Sequence, residues 1–166
     1  MNRRVRSRPG DFVALPLPSG GFGYGRVLEK LTAFYNYKSD TISDVGTVAQ
    51  SKVAFITAVH RSAFSSDRWT IIGFKPLERE FNEPREFFRK DPSGDGFLIY
   101  VSKPTPPSAY EEHKASAQEC IGLEPLLVWD ADQIEQRLED QILGRLNKHL
   151  AHYVLPLYKQ SDPAHK

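Results

Sequence analysis

The stretch that decides the fold is Pro9–Leu31, PGDFVALPLPSGGFGYGRVLEKL. It holds five glycines, and Gly21, Gly23 and Gly25 are spaced G-x-G-x-G. Such a spacing fits either a phosphate-binding loop or a β-hairpin. Phosphate loops place their glycines at the start of a helix, whose N-terminus holds the anion. Here the glycines run into RVLEKLTAFYNY, which is β-branched and aromatic early and carries no capping residue in front. The kinase spacing G-x-G-x-x-G-x-V is nearly met at Val27, but no H-R-D or D-F-G follows. On the N-terminal side, DFVALPL is apolar on both faces, as in a strand buried on both sides. PSGG is turn chemistry. Phe22, Tyr24, Arg26 and Leu28 then alternate with Gly23, Gly25 and Val27, a period of two. The stretch reads as strand, turn, strand, and its glycines mark bends or close backbone approaches.

The totals agree with a globular protein. The 166 residues are 40% hydrophobic and 26% charged, with 10 Phe and 7 Tyr to build an aromatic core. Arg3, Arg4, Arg6 and Arg8 form a basic arm, and the rest of the chain has 18 Lys+Arg against 21 Asp+Glu. Residues 1–8 read as a flexible arm, 9–156 as a single α+β domain and 157–166 as a flexible tail. Cys120 is the one cysteine, so no intrachain disulfide can form. This fits a reducing compartment, and a cytoplasmic location is expected. No apolar run approaches the length of about 20 residues that a membrane helix needs, so no membrane partner is expected.

Further along, residues 32–51 read as a long loop or short helix bearing exposed Phe34, Tyr35 and Tyr37. KVAFITAV (52–59), RWTIIGFKPL (68–77) and FLIYV (97–101) read as strands, the first two separated by a turn at SSD (65–67) and the last two by a charged, turn-rich segment. The clear turn DPSGDG (91–96) has a faint look of a calcium loop but lacks its closing Glu. After LLVW (126–129), Asp130 and Gln133 form a capping-box pattern. Ile134, Leu138, Ile142, Leu146, Leu150 and Val154 then make one apolar stripe, which predicts one long helix ended by Pro156. The expected fold is α+β and mainly antiparallel. It comprises an SH3-like small barrel or strongly curved sheet of about six strands, with the long helix packed on it.

Catalytic constellations are scarce. His149 and His152 share the end of the predicted helix but have no third metal ligand in reach by spacing, and suit a helix C-terminus as cations. Cys120 and His113 sit in no nucleophile motif. His60 and Arg61 close a strand near Asp67 and Arg68, which fits ion pairing better than acid–base chemistry on RNA. Trp69 and Trp129 read as core. No catalytic residue, metal or cofactor is expected, and the chain reads as a binding module rather than an enzyme.

GDFVALPLPSGGFGYGRVL (10–28) resembles the opening of the immunity protein 26 family. KVAFITAV, RWTIIGFKPL and GLEPLLVWDADQIEQRLED (122–140) are similar to later pieces of that family, in order. The matching motif residues are Gly10, Asp11, Gly23, Gly25, Arg26, Trp69, Gly73 and Trp129. The resemblance implies an antidote of a bacterial polymorphic toxin system. It would bind its cognate toxin domain by protein contact, without catalysis. Aromatic anchors with steering charge would serve such contact. Tyr35 and Tyr37 with Asp40 and Asp44, and Tyr110 with Glu111 and Glu112, are the candidate toxin-binding residues. The alternative reading is an SH3-like-barrel RNA-binding or RNA-cleaving protein of a toxin–antitoxin pair, in which the arginine arm, His60 and Arg61 would act. Nucleic acid is otherwise not an expected partner.

Overall fold

The structure, a computed structural model, describes residues 6–65, 67–103 and 111–161. In chain order the first half holds β1 (Asp11–Pro16), β2 (Phe22–Val27), β3 (Thr32–Tyr35), α1 (Val45–Gln50), β4 (Val53–Val59), α2 (Ser62–Ser65) and β5 (Thr70–Phe74). The second half holds β6 (Arg85–Lys90), β7 (Phe97–Ser102), β8 (Glu111–Ala115), α3 (Ala117–Cys120), β9 (Glu124–Pro125), β10 (Val128–Trp129), α4 (Ala131–Leu143) and α5 (Lys148–Ser161). The fold is mixed α+β, with one sheet of six strands and one of four. The chain divides into two compact units, Met1–Phe81 with Val128–Asn147, and Asn82–Leu127 with Lys148–Lys166. One domain over 9–156 is the expectation from sequence, and α5 carries helix to Ser161, beyond the 157 boundary expected for a tail.

In the first unit, β1 and β2 form the hairpin read from the sequence, with Phe12 opposite Arg26 and Pro16 opposite Phe22. Gly20 N donates to Leu17 O and Leu17 N to Gly21 O, closing the turn. Gly20 and Gly21 take φ of 105° and 75°, the left-handed region that side chains with a Cβ avoid. Gly23 has another reason. A Cβ there would lie 2.6 Å from Leu138 Cδ2 and 3.0 Å from Leu17 Cδ2, so the glycine leaves room for α4. The G-x-G-x-G spacing is therefore a hairpin turn and a seat for a helix. The sheet runs β10-β4-β3-β2-β1-β5, antiparallel except where β10 lies parallel to β4. It is open, with β10 and β5 at its edges, and the described strands close no barrel.

Residues 32–35 correct the expectation of a loop. Thr32, Ala33, Phe34 and Tyr35 are all buried in β3, between β2 and β4. Four residues are too few for a two-residue period to declare itself, and a strand buried on both faces has no polar alternation. Phe12, Ala14, Tyr24, Tyr35 and Val48 form one core cluster of this unit.

The second unit is a sheet ordered β8-β7-β6-β9 over a core of Phe88, Phe97, Ile99, Ala117, Cys120 and Leu157. Two of its strands, REFFRK and EEHKA, are hidden in sequence by their charge. In β6 only Phe87 and Phe88 are buried, and β8 is an edge strand, a place where charged side chains discourage pairing with other chains.

The long helix is also corrected. The apolar stripe is cut at Gly144, whose φ of 68° ends α4 with its N–H on the carbonyls of Asp140 and Gln141. Such left-handed glycine stops are a standard helix terminator. Ile134 and Leu138 are fully buried in the first unit, while Leu146 is exposed. Val154 packs against the core of the second unit. Pro156 does not stop α5 but lies inside it. It forfeits one backbone hydrogen bond, and the fully buried Leu157 that follows holds that turn in place.

Candidate functional site

The motif residues of the hairpin are structural. Arg26 on β2 is buried, and its guanidinium donates to Glu78 Oε2 at 2.5 Å, Lys75 O at 2.9 Å and Pro76 O at 2.8 Å. It also lies over the rings of Phe12, at 4.6 Å, and Phe81, at 5.2 Å. One cation thus ties the segment after β5 to the centre of the sheet. Gly25 sits against Phe34 and Gly73 against Val45. Asp11 Oδ2 accepts from Arg8 N at 2.8 Å. Trp69 is buried and donates Nε1–H to Glu135 Oε2 at 3.0 Å, and Arg68 grips the same carboxylate. Glu139, one turn on from Glu135, accepts from Ser19 N at 2.9 Å and from the Ser19 hydroxyl. Two buried carboxylates on one face of α4 therefore fasten the helix, one to the approach of β5 and the other to the hairpin turn. The sequence pattern explains Glu135 only as an early acidic residue in a helix. Trp129, fully buried, lies 4.7 Å from the guanidinium of Arg137, which is itself 3.8 Å from the ring of Phe55.

The candidate contact residues separate. Tyr35 is only 2% exposed and stacks on Phe12 with centroids 6.1 Å apart. Burial pushes its phenol pKa up, against the pull of nearby Arg26. It is a core residue. The segment that follows is a surface loop, and it is tightly held. Tyr24 Oη meets Ser39 Oγ at 2.5 Å and accepts from Ser43 N at 2.8 Å. Tyr37 Oη meets Ser43 Oγ at 2.8 Å, and the Tyr37 ring stacks on Tyr24 at 5.6 Å. Ser39 bridges back to Phe22 through two backbone hydrogen bonds. Asp40 is exposed on this loop. Asp44 caps α1, accepting from Thr47 N at 2.9 Å and Thr47 Oγ1 at 2.8 Å, and these bonds lower its pKa. Between the two carboxylates stands Ile42, 46% exposed. An Ile between two Asp is a signal the sequence already holds, but only the structure shows that it is exposed on a loop whose flanking residues are hydrogen-bonded in place.

Glu111 and Glu112 lie on β8 in the second unit. Glu111 pairs with Lys103 at 2.6 Å and Glu112 with Arg89 at 2.7 Å. Tyr110 lies outside the described residues, as do Arg3 and Arg4 of the arm. Cys120 is fully buried, and burial raises its thiol pKa, with a further push from Glu119. A thiol so placed is a poor nucleophile. His149 and His152 both contact the ring of Tyr153. Among the described residues, no group of three or more His, Cys, Asp or Glu is placed to hold a metal ion. Nor is any described helix long and apolar enough to cross a membrane. The ion pairing expected around His60 falls elsewhere: His60 Nδ1 meets Ser62 Oγ at 2.7 Å, and Arg68 pairs with Glu135.

The profile of the immunity protein 26 family matches residues 8–97, more than half of the chain. The chain belongs to the immunity protein 26 family. The match spans β1 to β6 and reaches the first residue of β7. It takes in the Arg26 tie and the loop from Tyr37 to Asp44. Trp129 and the 122–140 segment, expected from sequence to belong to the family's pattern, lie beyond the matched residues. No curated protein and no solved structure matches the chain.

Proposed function

We propose that this immunity-type protein binds and neutralises a bacterial toxin domain through protein contact, without catalysis, and that the loop Tyr37–Asp44 is the contact surface. Membership of the immunity protein 26 family carries the reading, and the loop's geometry supports its place. The side chains of Tyr37, Ser39, Ser43 and Asp44 are held before any partner arrives, so little of the loop's ordering entropy is lost on binding. Ile42 offers an apolar anchor, and Tyr37 on the same loop is half-buried. Asp40 and Asp44 supply negative charge that steers a basic partner. Tyr35 drops out of the surface because it is core. Glu111 and Glu112 form a weaker second choice, since each carboxylate already has a cation. The setting implied by the family is a polymorphic toxin system acting in the cytoplasm.

The test is co-expression with the toxin encoded beside the gene. The wild-type chain restores growth and co-purifies with the toxin. Ile42→Asp and Asp40→Arg melt like the wild type but lose protection. Full protection by both variants would remove the loop from the reading, and a harmless neighbour that forms no complex with the chain would remove the toxin.

A further inference from the structure

A second surface of the first unit differs in charge and shape from the loop at 37–44. An open groove of about 1060 Å³ is lined by Arg6, His60, Arg61, Asp67, Thr70 and Ile71, among others. Serine hydroxyls at Ser7, Ser62 and Ser65 line it too, and Phe64 and Trp69 contribute its aromatic part. Arg6 and Arg61 are exposed, and among the described residues neither has an ion pair. Among the described residues of the lining, Asp67 is the one carboxylate. The groove thus has an excess of cation and a supply of hydroxyl donors.

Thr70 and Ile71 open β5, and β5 is an edge of its sheet, hydrogen-bonded to β1 on one side. Its sequence, TIIGF, has no charge and no proline. Charge and proline are two of the devices that usually block such edges; β5 has neither, and carries only a bulge at Ile72 in its pairing with β1, whereas the other unit's edge strand β8, EEHKA, is made almost wholly of charge. An edge without charge or proline is a template for an added extended strand, whose backbone supplies the affinity. A nucleic-acid strand fits less well, because Trp69 is buried and the Phe64 ring meets it edge-on at 5.4 Å. No stacking platform for bases results.

We infer that the groove and the β5 edge together dock an extended, acidic segment of a protein partner. The segment adds as a strand beside β5 and sets its carboxylates against Arg6 and Arg61. This goes beyond the toxin reading and does not depend on the loop at 37–44.

The probe is a fluorescein-labelled decapeptide alternating Glu with Val and Thr, followed by anisotropy at low salt. Controls are the same peptide with Gln for Glu and a labelled oligouridine of equal charge. The Glu peptide binds saturably, and Arg61→Glu and Arg6→Glu together weaken it by about tenfold or more. The Gln peptide and the oligouridine bind more weakly. On binding, amide exchange slows within Thr70–Phe74. Unchanged tryptophan emission and melting show that the variants remain folded. No saturable binding of the Glu peptide overturns the inference, as does binding indifferent to both substitutions. Tighter binding of oligouridine overturns it too, and makes the groove a nucleic-acid site.

Discussion

Replacing Arg26 tests whether the Gly-Arg-Val motif is architecture or site. The side chain is 1% exposed, while its partner Glu78 is 51% exposed. The two ends of this ion pair therefore respond differently to removal. Arg26→Met keeps most of the buried stem and removes the charge. The acceptors left behind, on Lys75, Pro76 and Glu78, belong to exposed residues, so water can replace the guanidinium at each. What is lost is a set of charge-assisted hydrogen bonds worth about 1.5–3 kcal/mol apiece and two ring contacts of about 0.5–1 kcal/mol each. Regained is the desolvation cost of one buried cation, several kcal/mol. Water re-solvates every acceptor, so the low end of each range applies, and the balance is a loss of about 2–3 kcal/mol. Glu78→Gln leaves the cation buried with two carbonyls and no counter-charge. That change costs about 1–2 kcal/mol, between the values for exposed and buried pairs, because Glu78 is half exposed and water screens this side. The double variant then loses no more than Arg26→Met alone, because with the guanidinium gone the Glu78→Gln change strands no cation. Both tryptophans of the chain, Trp69 and Trp129, lie buried in the first unit. Urea unfolding followed by tryptophan emission therefore reports the unit that Arg26 holds. For a unit of this size the loss corresponds to a fall in Tm of about 10–20 °C. Below the transition, Arg26→Met still protects against the toxin. Strict additivity of the two substitutions would refute the account of the pair. An Arg26→Met chain of full stability that fails to protect would make the motif a contact site.

Gly23→Ala tests the helix seat: the new Cβ meets Leu138 and Leu17, so the same urea assay shows a loss of about 1–3 kcal/mol, and a neutral or stabilised variant would refute the packing argument. Glu139 gives a pH signature. Burial alone would raise its pKa, but the hydrogen bonds from Ser19 and the charge of Arg145 outweigh it and hold the pKa below the ordinary value. A lowered folded pKa means stability that is present above the unfolded value, about 4.3, and lost as pH falls through the folded one. Glu139→Gln is therefore less stable than the wild type near neutrality, and the gap narrows on acidification. A gap constant from pH 7 to pH 3 would show that the charge of Glu139 is not what fastens α4.

The legible parts of the sequence were those where one local pattern had one physical cause. The hairpin 11–27 combines a turn that demands glycine with flanking strands of period two, and both signals survive in the structure. The start of α4 is equally local: Gln133 Oε1 accepts from Asp130 N at 3.0 Å, as the capping pattern predicts. The misread parts are those where tertiary contacts set the outcome. The stripe from Ile134 to Val154 has an unbroken period, yet Gly144 outweighs it, because a left-handed stop is available there and the two halves of the stripe have different cores to fill. Burial similarly rescues Pro156, through Leu157. The site follows the same division. Asp40 and Tyr37 can be picked out by residue type, since exposed acid and aromatic groups suit a binding loop. Tyr35, two residues away and chemically identical to Tyr37, goes to the core because β3 is a middle strand, between β2 and β4, and that position comes from pairing across the chain. The groove is the extreme case. Arg6 is far in sequence from Arg61 and Thr70, and each alone is an ordinary surface residue. The stretch from His60 to Ile71 is legible as one local cluster, and what local reading misses is the antiparallel pairing of β5 with β1, which sets the chain before β1 beside that stretch.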